Sequence, residues 1–348
     1  MGEILGIGLS HYPGLVQPDK GRNHQLTRAL NSGRLTAEQM DPANWPEAMR
    51  LEYGEDKGDA SHRKVRVRLA AGFKAQRAAL DAFNPDFVLI WGDDQYENFR
   101  EDIMPPFCVL AYEDMECTPF MNHDGTPKPN VWGEPGDKIF HYKGHPAARE
   151  LTTSLIEQGF DMSYAYKPLH FQGGLGHAFI NALMFLDYER KGFDYPVIPI
   201  QVNCYGKMII RNQGGAKQFQ AEYDPPSPTP ARCMDLGAAT VRALRDSGYR
   251  VALIASGSWS HAFLTDKHHT MWPDIESDRA RFEELEAGDW GAWRRVTTAQ
   301  IEAAGQQEML NWMCLAGAME ELDRKPQVIE YVETYVFNSE KVLVVFSP

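Results

Sequence analysis

The sequence lacks the features that mark several large classes of protein. Its 348 residues include five cysteines, none in a CxxC pair, so neither a disulfide scaffold nor a zinc ribbon is expected. With 35 Lys and Arg against 48 Asp and Glu, the formal net charge is −13, which argues against a general nucleic-acid binder because phosphate affinity depends on clustered cations. No P-loop, GxGxxG or HExxH motif is present, so nucleotide-dependent chemistry and a zincin mechanism lack support.

We expect neither a targeting segment nor a membrane segment. The first six residues carry an acid and no basic region, unlike a secretory signal peptide. No apolar run approaches the roughly 18 residues that a membrane span needs. We therefore expect a cytoplasmic protein, and the odd number of unpaired cysteines agrees with a reducing compartment.

The sequence does contain enough apolar material for a large core, because 43% of the residues are hydrophobic and 11% are aromatic. Residues 4–10 and 87–91 are apolar runs of strand length, and the spacing between them predicts a helix over residues 62–83. A helix between two buried strands is typical of a βαβ unit. We predict an α/β fold: a single catalytic domain over residues 1–348, with a central mixed, largely parallel sheet flanked by helices and long loops.

Further elements are predicted along the rest of the chain from apolar runs and helical periodicity. Residues 12–60, which are rich in Pro, Gly, Asn and Asp, are expected to form a long irregular excursion. The predicted strands are 106–111, 161–166, 196–203, 250–256 and 341–347, and the predicted helices are 146–158, 176–190, 235–247, 278–286 and 297–318.

Polar side chains that could bind a metal or take part in catalysis follow two of these strands. His11 ends the first strand, and Asp93-Asp94-Gln95 follows the second. His62 lies in the first turn of the helix between them, at the same edge of the sheet, where α/β proteins gather their chemistry. A histidine there can serve as ligand or base, and carboxylates can bind a metal or orient a histidine. The alternatives are a buried histidine bonded to the backbone and a solvated turn with capping side chains.

Two further histidines lie at the ends of predicted elements, where they could take part in catalysis. His177 follows a glycine-rich stretch at the start of a predicted helix, whose N-terminus disfavours the protonated imidazole, so it could act as a hydrogen-bonding group or a base. His261 comes just past the end of an apolar strand and could be a general acid/base. A capping histidine and a loop histidine are the respective alternatives. Histidines and carboxylates over residues 268–278 also suggest a two-histidine, one-carboxylate iron site, although the spacing is a weak signal.

The order of these motifs resembles the large, catalytic subunit of protocatechuate 4,5-dioxygenase and its relatives, the class III extradiol dioxygenases. The resemblance spans nearly the entire chain, in short pieces whose order and spacing agree. The pieces are Gly8-Leu9-Ser10-His11, Pro85-Asp86-Phe87-Val88-Leu89-Ile90, Ile103-Met104-Pro105-Pro106-Phe107, Lys143-Gly144-His145-Pro146, Gly159-Phe160-Asp161-Met162, Gly176-His177, Val197-Ile198-Pro199, Ser260-His261, Glu276-Ser277-Asp278-Arg279 and Asn311-Trp312-Met313.

The resemblance implies a non-haem Fe(II) enzyme that opens the ring of a catechol-type aromatic, such as protocatechuate or gallate, with O2. Carried over, His11 and Glu276 match metal ligands. His261 matches the acid/base histidine that takes a phenolic proton and later returns one, and His177 matches a pocket histidine that contacts the substrate. The resemblance also implies a homodimer, with or without a separate small helical subunit.

The second metal ligand does not carry over, because the family has a histidine where this chain reads Asp93-Asp94-Gln95. His62 is the first replacement by ligand chemistry, while Asp94 or Gln95 could coordinate through oxygen or contact the substrate. A different divalent metal, or none, is also open. The alternative function is an oxygen-independent hydrolase, decarboxylase or lyase that acts on a phenolic or cyclic acid in the same cleft.

Overall fold

The protein is built around an eight-stranded mixed sheet, with a separate two-stranded sheet. The computed structural model describes residues 2–122, 124–171, 173–208, 210, 212–213 and 223–348. Its strands are β1 (Glu3–Leu9), β2 (Phe87–Asp93), β3 (Phe107–Leu110), β4 (Asp114–Cys117), β5 (Phe140–Lys143), β6 (Ser163–Ala165), β7 (Val197–Val202), β8 (Arg250–Ser256), β9 (Gln327–Val332) and β10 (Lys341–Phe346). Its α-helices are α1 (His24–Leu30), α2 (Ala37–Met40), α3 (Glu47–Tyr53), α4 (Asp59–Phe83), α5 (Ala147–Glu157), α6 (His177–Leu186), α7 (Pro230–Arg245), α8 (Ile275–Ala287), α9 (Trp290–Arg295), α10 (Thr298–Ala304) and α11 (Met309–Glu321).

The strand order in the large sheet is β6-β3-β7-β2-β8-β1-β10-β9. The central strands β7, β2, β8 and β1 run parallel to one another, whereas β10, β9 and β3 are antiparallel to their inner neighbours. The predicted α/β fold with a mixed sheet flanked by helices is therefore confirmed. Parallel strands end at one edge, so this topology brings the carboxyl ends of β1, β2 and β8 together.

Helices cover both faces of the sheet and bury two apolar cores. On one face α4 and α6 pack against each other and against the sheet, and on the other α11 packs against α7, β8 and β2. Gln76 is a polar residue within the apolar stripe of α4, and it is buried and donates hydrogen bonds from Nε2 to the carbonyls of Gly8 and Val344, at 2.7 and 3.0 Å. The stripe it joins is buried too, and consists of Val65, Leu69, Phe73 and Leu80.

Two predicted segments differ from the structure. The excursion over residues 12–60 contains α1, α2 and α3, because local caps such as the Thr36 capping box stabilise short helices there. The single helix predicted over residues 297–318 is two helices, α10 and α11. Gly305 ends α10 with a φ of 70°, and a Cβ at this position would lie 2.6 Å from the carbonyl oxygen of His261. A glycine meets both constraints, so the chain breaks just before α11.

Neither disulfide bonds nor membrane-spanning helices are found among the described residues. All five cysteines are buried and free. Across the described residues, no helix combines the length and apolar character that crossing a membrane requires.

Candidate active site

Four ligand-bearing side chains meet at the carboxyl edge of the sheet. His11 lies just beyond β1 and Asp93 ends β2, while His177 begins α6 and Glu308 directly precedes α11. One ligand atom from each side chain lies within 4.8 Å of the others. We call these four residues the carboxylate–histidine cluster. It gathers segments that are distant in the sequence because parallel strands and two helix N-termini converge at this edge.

The tautomer of His11 is set by its hydrogen bond to β8. The hydroxyl of Ser256 donates to the carbonyl of Ala178 at 2.6 Å, so its oxygen accepts from Nδ1–H of His11 at 3.1 Å. In the neutral imidazole, the lone pair is therefore on Nε2, which is buried. It lies 3.1 Å from Glu308 Oε2 and 4.0 Å from Asp93 Oδ1, without the geometry of a hydrogen bond. Two acceptor atoms face each other across this short distance.

Asp93 brings a second buried atom without a partner to the same place. Its Oδ1 accepts a hydrogen bond from Nδ2 of Asn311 at 3.1 Å, whereas Oδ2 has no hydrogen-bond partner among the described residues. Burial, together with the nearby Glu308 carboxylate, raises the pKa of Asp93 to about 6. A buried carboxylate in this state gains from a nearby cation.

Glu308 stays ionised despite its burial. Oε1 accepts from the hydroxyl of Tyr205 and Oε2 from the backbone N–H of Ser258, both at 2.7 Å. Nε2 of His261 and Nε2 of His11 each lie 3.1 Å from one of its oxygens. Burial on its own would raise the pKa of Glu308, but the positive charge of the His261 and His11 imidazoles in their protonated forms outweighs it and holds the pKa well below its usual range.

His177 presents its Nε2 to the cluster. Nδ1 donates to Glu97 Oε2 at 2.9 Å, and Nε2 lies 3.9 Å from Asp93 Oδ2. The ring stands edge-on to His11, with 4.9 Å between ring centroids. Burial lowers the pKa of His177, yet Glu97 and Asp93 reverse the effect and raise it to about 10. The Glu97 carboxylate therefore favours the protonated imidazole, whereas the helix N-terminus predicted the neutral form.

His261 adjoins the cluster through Glu308. Its Nε2 is 3.1 Å from Glu308 Oε1, while the buried Nδ1 has no partner among the described residues. The loop that carries it is fixed by the backbone: the N–H of His261 donates to the carbonyl of Gly305 at 2.8 Å, and the N–H of Ser260 donates to the buried carboxylate of Asp278. The structure thus places the predicted acid/base histidine beside the carboxylate, on a constrained loop.

Two of the predicted metal ligands lie elsewhere. His62 is buried, but its Nδ1 bonds Asp19 at 3.0 Å and its ring packs against Phe337, with 5.0 Å between centroids. Glu276 is exposed in the first turn of α8. The structure brings neither into the cluster, and the carboxylate that faces the histidines is Glu308. The prediction for Glu276 came from the family resemblance through its Glu-x-Asp context; in the structure Asp278 of that context is buried, whereas Glu276 itself is exposed to solvent.

The two predicted substrate-binding residues sit in the loop after β2. The carboxylate of Asp94 accepts from the backbone N–H groups of Glu97 and Asn98 at 2.9 Å and of Phe99 at 3.3 Å. Its burial raises its pKa to about 7. Asp94 therefore shapes the loop that carries Glu97, and its oxygens are occupied by the backbone. Gln95 is half-buried in the same loop and does not belong to the cluster.

The sequence analysis did not identify Glu308 and Glu97 as functional residues. A signal for Glu308 exists, because residues 306–308 form a polar run between Gly305 and the apolar α11, and all three side chains are buried. A buried polar run at a helix start needs partners, and here these are the groups of the site. Glu97 lies among the carboxylates that follow β2, which the sequence analysis gave as able to orient a histidine, but its specific role depends on α6 approaching the loop in space.

The donor set fits a divalent cation. It combines two imidazole nitrogens with two carboxylates, which suits iron and related transition metals. The lone-pair nitrogen of His11 and the free oxygen of Asp93 are buried and unpartnered, and both lie within the group of converging ligand atoms. A cation between them would satisfy both atoms and relieve the repulsion between acceptors.

Comparisons with known proteins agree with this chemistry. Residues 219–341, which include His261 and Glu308, match the family described as the catalytic LigB subunit of aromatic ring-opening dioxygenase. A 2,3-dihydroxyphenylpropionate/2,3-dihydroxicinnamic acid 1,2-dioxygenase of Pseudomonas putida is 31% identical over 189 residues, which are 54% of this chain and 47% of that protein. The corresponding dioxygenase of Comamonas testosteroni is 28% identical over 196 residues, 56% of this chain and 49% of that protein.

The matched regions span about half the length of these relatives. Among solved structures, the uncharacterized protein JW3007 of Escherichia coli K12 aligns over 98% of both chains at 11% identity, with a TM-score of 0.45, a likeness too weak to bear on function. Residues 219–341 are thus similar to the LigB family of aromatic ring-opening dioxygenases, and this match confirms the predicted resemblance to the class III extradiol enzymes.

Proposed function

We propose that this protein is an Fe(II)-dependent extradiol dioxygenase that opens the ring of a catechol-type aromatic with O2. The observation that carries the proposal is the convergence of His11 Nε2 and Glu308 Oε2, 3.1 Å apart, beside His261. A histidine and a carboxylate that converge in one site belong to the ligand set typical of non-haem Fe(II) oxygenases. The similarity of residues 219–341, which include His261 and Glu308, to the LigB family supports the same reaction class.

A bound ferrous ion would supply one centre at which the catechol oxygens and O2 meet and exchange electrons. The residues of the chain prepare that centre. Tyr205 and Ser258 hold the Glu308 carboxylate in place through two hydrogen bonds, so its charge is fixed before any ligand arrives. Asn311 similarly holds Oδ1 of Asp93.

His261 is the group that moves the proton. Its Nε2 lies 3.1 Å from Glu308 Oε1, at the border of the carboxylate–histidine cluster, so this imidazole is placed to accept a phenolic proton. The carboxylate of Glu308 stabilises the imidazolium that results. The same proton is then available for return to the product, which makes His261 both base and acid.

Burial limits access to the site. His11, Asp93, Glu308 and His261 are almost fully buried, whereas the side chain of His177 is 21% exposed. We propose that the aromatic substrate approaches past His177, and that the enclosed surroundings keep bulk water from the reacting atoms.

The substrate we propose is a catechol that bears a carboxylate. The sequence resemblance favours a protocatechuate- or gallate-like compound, whereas the named relatives are dioxygenases of 2,3-dihydroxyphenylpropionate. A homodimer, with or without a separate small helical subunit, and a cytoplasmic location are also part of this proposal and rest on the family resemblance.

The test is O2 consumption by protein loaded anaerobically with Fe(II), measured with a panel of protocatechuate, gallate and 2,3-dihydroxyphenylpropionate. We expect O2 uptake that matches the amount of ring-opened product. Glu308→Gln, which removes the carboxylate charge, should abolish uptake, and the matched variant Glu276→Gln should leave it unchanged because Glu276 is exposed outside the cluster.

Turnover of a phenolic or cyclic acid without O2 would replace this proposal with the oxygen-independent alternative, which the missing histidine in Asp93-Asp94-Gln95 favours. Equal activity of the Glu308→Gln and wild-type proteins would overturn the assignment of the site.

A further inference from the structure

We infer that His177, positioned by Glu97, supplies the second imidazole of the metal site, in place of the histidine that the loop after β2 lacks. This inference rests on the proposed function, because it concerns the same metal. It changes the role that the family resemblance gives His177, from a pocket residue that touches substrate to a ligand.

The hydrogen bonds of His177 leave one nitrogen free for a metal. Nδ1 and the backbone N–H both point at the Glu97 carboxylate, which can only accept, so Nδ1 carries the hydrogen in these contacts. Once the imidazole is neutral, its lone pair is on Nε2. That atom lies 3.9 Å from Asp93 Oδ2 and belongs to the group of ligand atoms that includes His11 and Glu308.

Glu97 is built to orient this ring. One carboxylate oxygen accepts from Nδ1 at 2.9 Å, and both accept from the backbone N–H of His177, at 2.9 and 3.1 Å. A Cβ at Gly176 would lie 2.8 Å from Glu97 Oε2, so the close approach depends on glycine. Metal-bound histidines commonly donate their other N–H to a carboxylate in this way, which fixes the ring and raises its basicity.

The loop that carries Glu97 is itself held in place. Asp94 accepts hydrogen bonds from the backbone N–H groups of residues 97–99, so its carboxylate is used inside the loop. The segment that resembles the ligand loop of the family therefore reaches the metal site indirectly: Asp94 shapes the turn, the turn presents Glu97, and Glu97 orients His177.

The other predicted replacements do not bring a second imidazole to this place. Nδ1 of His62 bonds Asp19, and its ring packs on Phe337. Within the described part of the chain, the only group of metal-binding side chains that meets at this spacing contains His11 and His177 as its histidines. With Glu308 they make a two-histidine, one-carboxylate set, drawn from three different elements of the fold.

The experiment measures Co(II) affinity of the metal-free, full-length protein by calorimetric titration, and counts coordinated imidazoles by X-ray absorption of the Co(II)-loaded protein. We expect His177→Gln to lower the affinity by about 100-fold or more and Glu97→Gln by about 10- to 100-fold, as for loss of a ligand and of its orienting carboxylate. The imidazole signal should fall from two rings to one in His177→Gln.

Matched controls come from the same part of the molecule. Glu101→Gln changes an exposed glutamate of the same loop that bonds Tyr96, and His170→Gln changes a histidine that pairs with Asp102 outside the cluster. Both should bind Co(II) like the wild type.

Wild-type affinity and two imidazoles in His177→Gln would overturn the inference and return His177 to a pocket role, while leaving the proposed function intact. Failure of the wild-type protein to bind Co(II) or Fe(II) would instead overturn the proposed function. Glu97→Gln keeps the experiment decisive if His177→Gln does not fold, since wild-type affinity in that variant would equally contradict the role of Glu97.

Discussion

His11 and His62 are both buried histidines with the same pattern of contacts, yet only one is suited to bind a metal. Each uses Nδ1 in a hydrogen bond, His11 to Ser256 and His62 to Asp19, and each leaves Nε2 without a partner. The difference is what surrounds the free nitrogen. Nε2 of His11 faces the Glu308 carboxylate at 3.1 Å, whereas the ring of His62 packs against Phe337.

The comparison shows that neither residue type nor burial identifies a ligand. A lone pair beside an aromatic ring is simply buried without a partner, while a lone pair beside carboxylate oxygens defines a space for a cation. The surroundings of His62 also shift its own pKa. Burial, reinforced by Arg66, lowers the pKa of His62 to about 4, which keeps it neutral at physiological pH without any ligand.

The largest expected difference between the two histidines is in metal affinity. His11→Gln removes a nitrogen that faces the carboxylates and should lower Co(II) affinity by about 100-fold or more, with loss of O2 uptake. His62→Gln should leave the affinity unchanged, because no carboxylate of the cluster contacts it. Calorimetric titration of the two purified variants measures both values. A loss in His62→Gln as large as that in His11→Gln would return His62 to the metal site.

The second expected effect is a pH dependence of the protein's stability that comes from the lowered pKa of His62. Because the pKa of His62 is about 4 in the folded protein and near 6.5 when unfolded, the unfolded chain binds the extra proton between these values. The contribution of His62 to the free energy of unfolding is therefore complete above pH 6.5. It is lost as the pH drops towards 4, which lowers the free energy of unfolding by roughly 3 kcal/mol. The lowered pKa of its partner Asp19 acts only below the ordinary range of a carboxyl, so it lies outside this window.

Urea unfolding of wild type and His62→Gln from pH 7.5 to 4.0 checks this expectation. The variant should be less stable than wild type at pH 7.5, because it loses the bond to Asp19. Its free energy of unfolding should fall less steeply than that of wild type as the pH is lowered. Parallel pH curves for the two proteins would show that His62 titrates normally in the fold.

The sequence predicted the sheet better than it predicted the site. Continuous apolar runs fixed the central strands, since strands covered on both faces need them, and the strand ends pointed to His11 and His261. The helix start at His177 was visible for the same local reason. These features depend on short segments whose pattern is independent of distant contacts.

The missed residues depend on contacts between distant segments. A helix predicted over residues 297–318 passes through Glu308, and only the turn at Gly305, tight against the backbone of His261, frees Glu308 to face the histidines. Its hydrogen bonds come from Tyr205 and Ser258, far away in the sequence. Glu276 is a carboxylate in a sequence context that resembles the family's ligand, but it is exposed and lies outside the cluster.

The smallest expected effect on metal affinity comes from the residues that hydrogen-bond Nδ1 of His11 and of His62. Ser256→Ala removes the acceptor that fixes the tautomer of His11, so Nε2 is less consistently available and Co(II) affinity should fall by about 10-fold, at the low end for an orienting partner. Asp19→Asn alters the corresponding partner of His62 and should leave the affinity unchanged. Because the Ser256 hydroxyl also donates to Ala178, the folded fraction of each variant is matched by circular dichroism before titration. An unchanged affinity in Ser256→Ala would mean that the carboxylates alone orient His11, and that the hydrogen bond to β8 serves only packing.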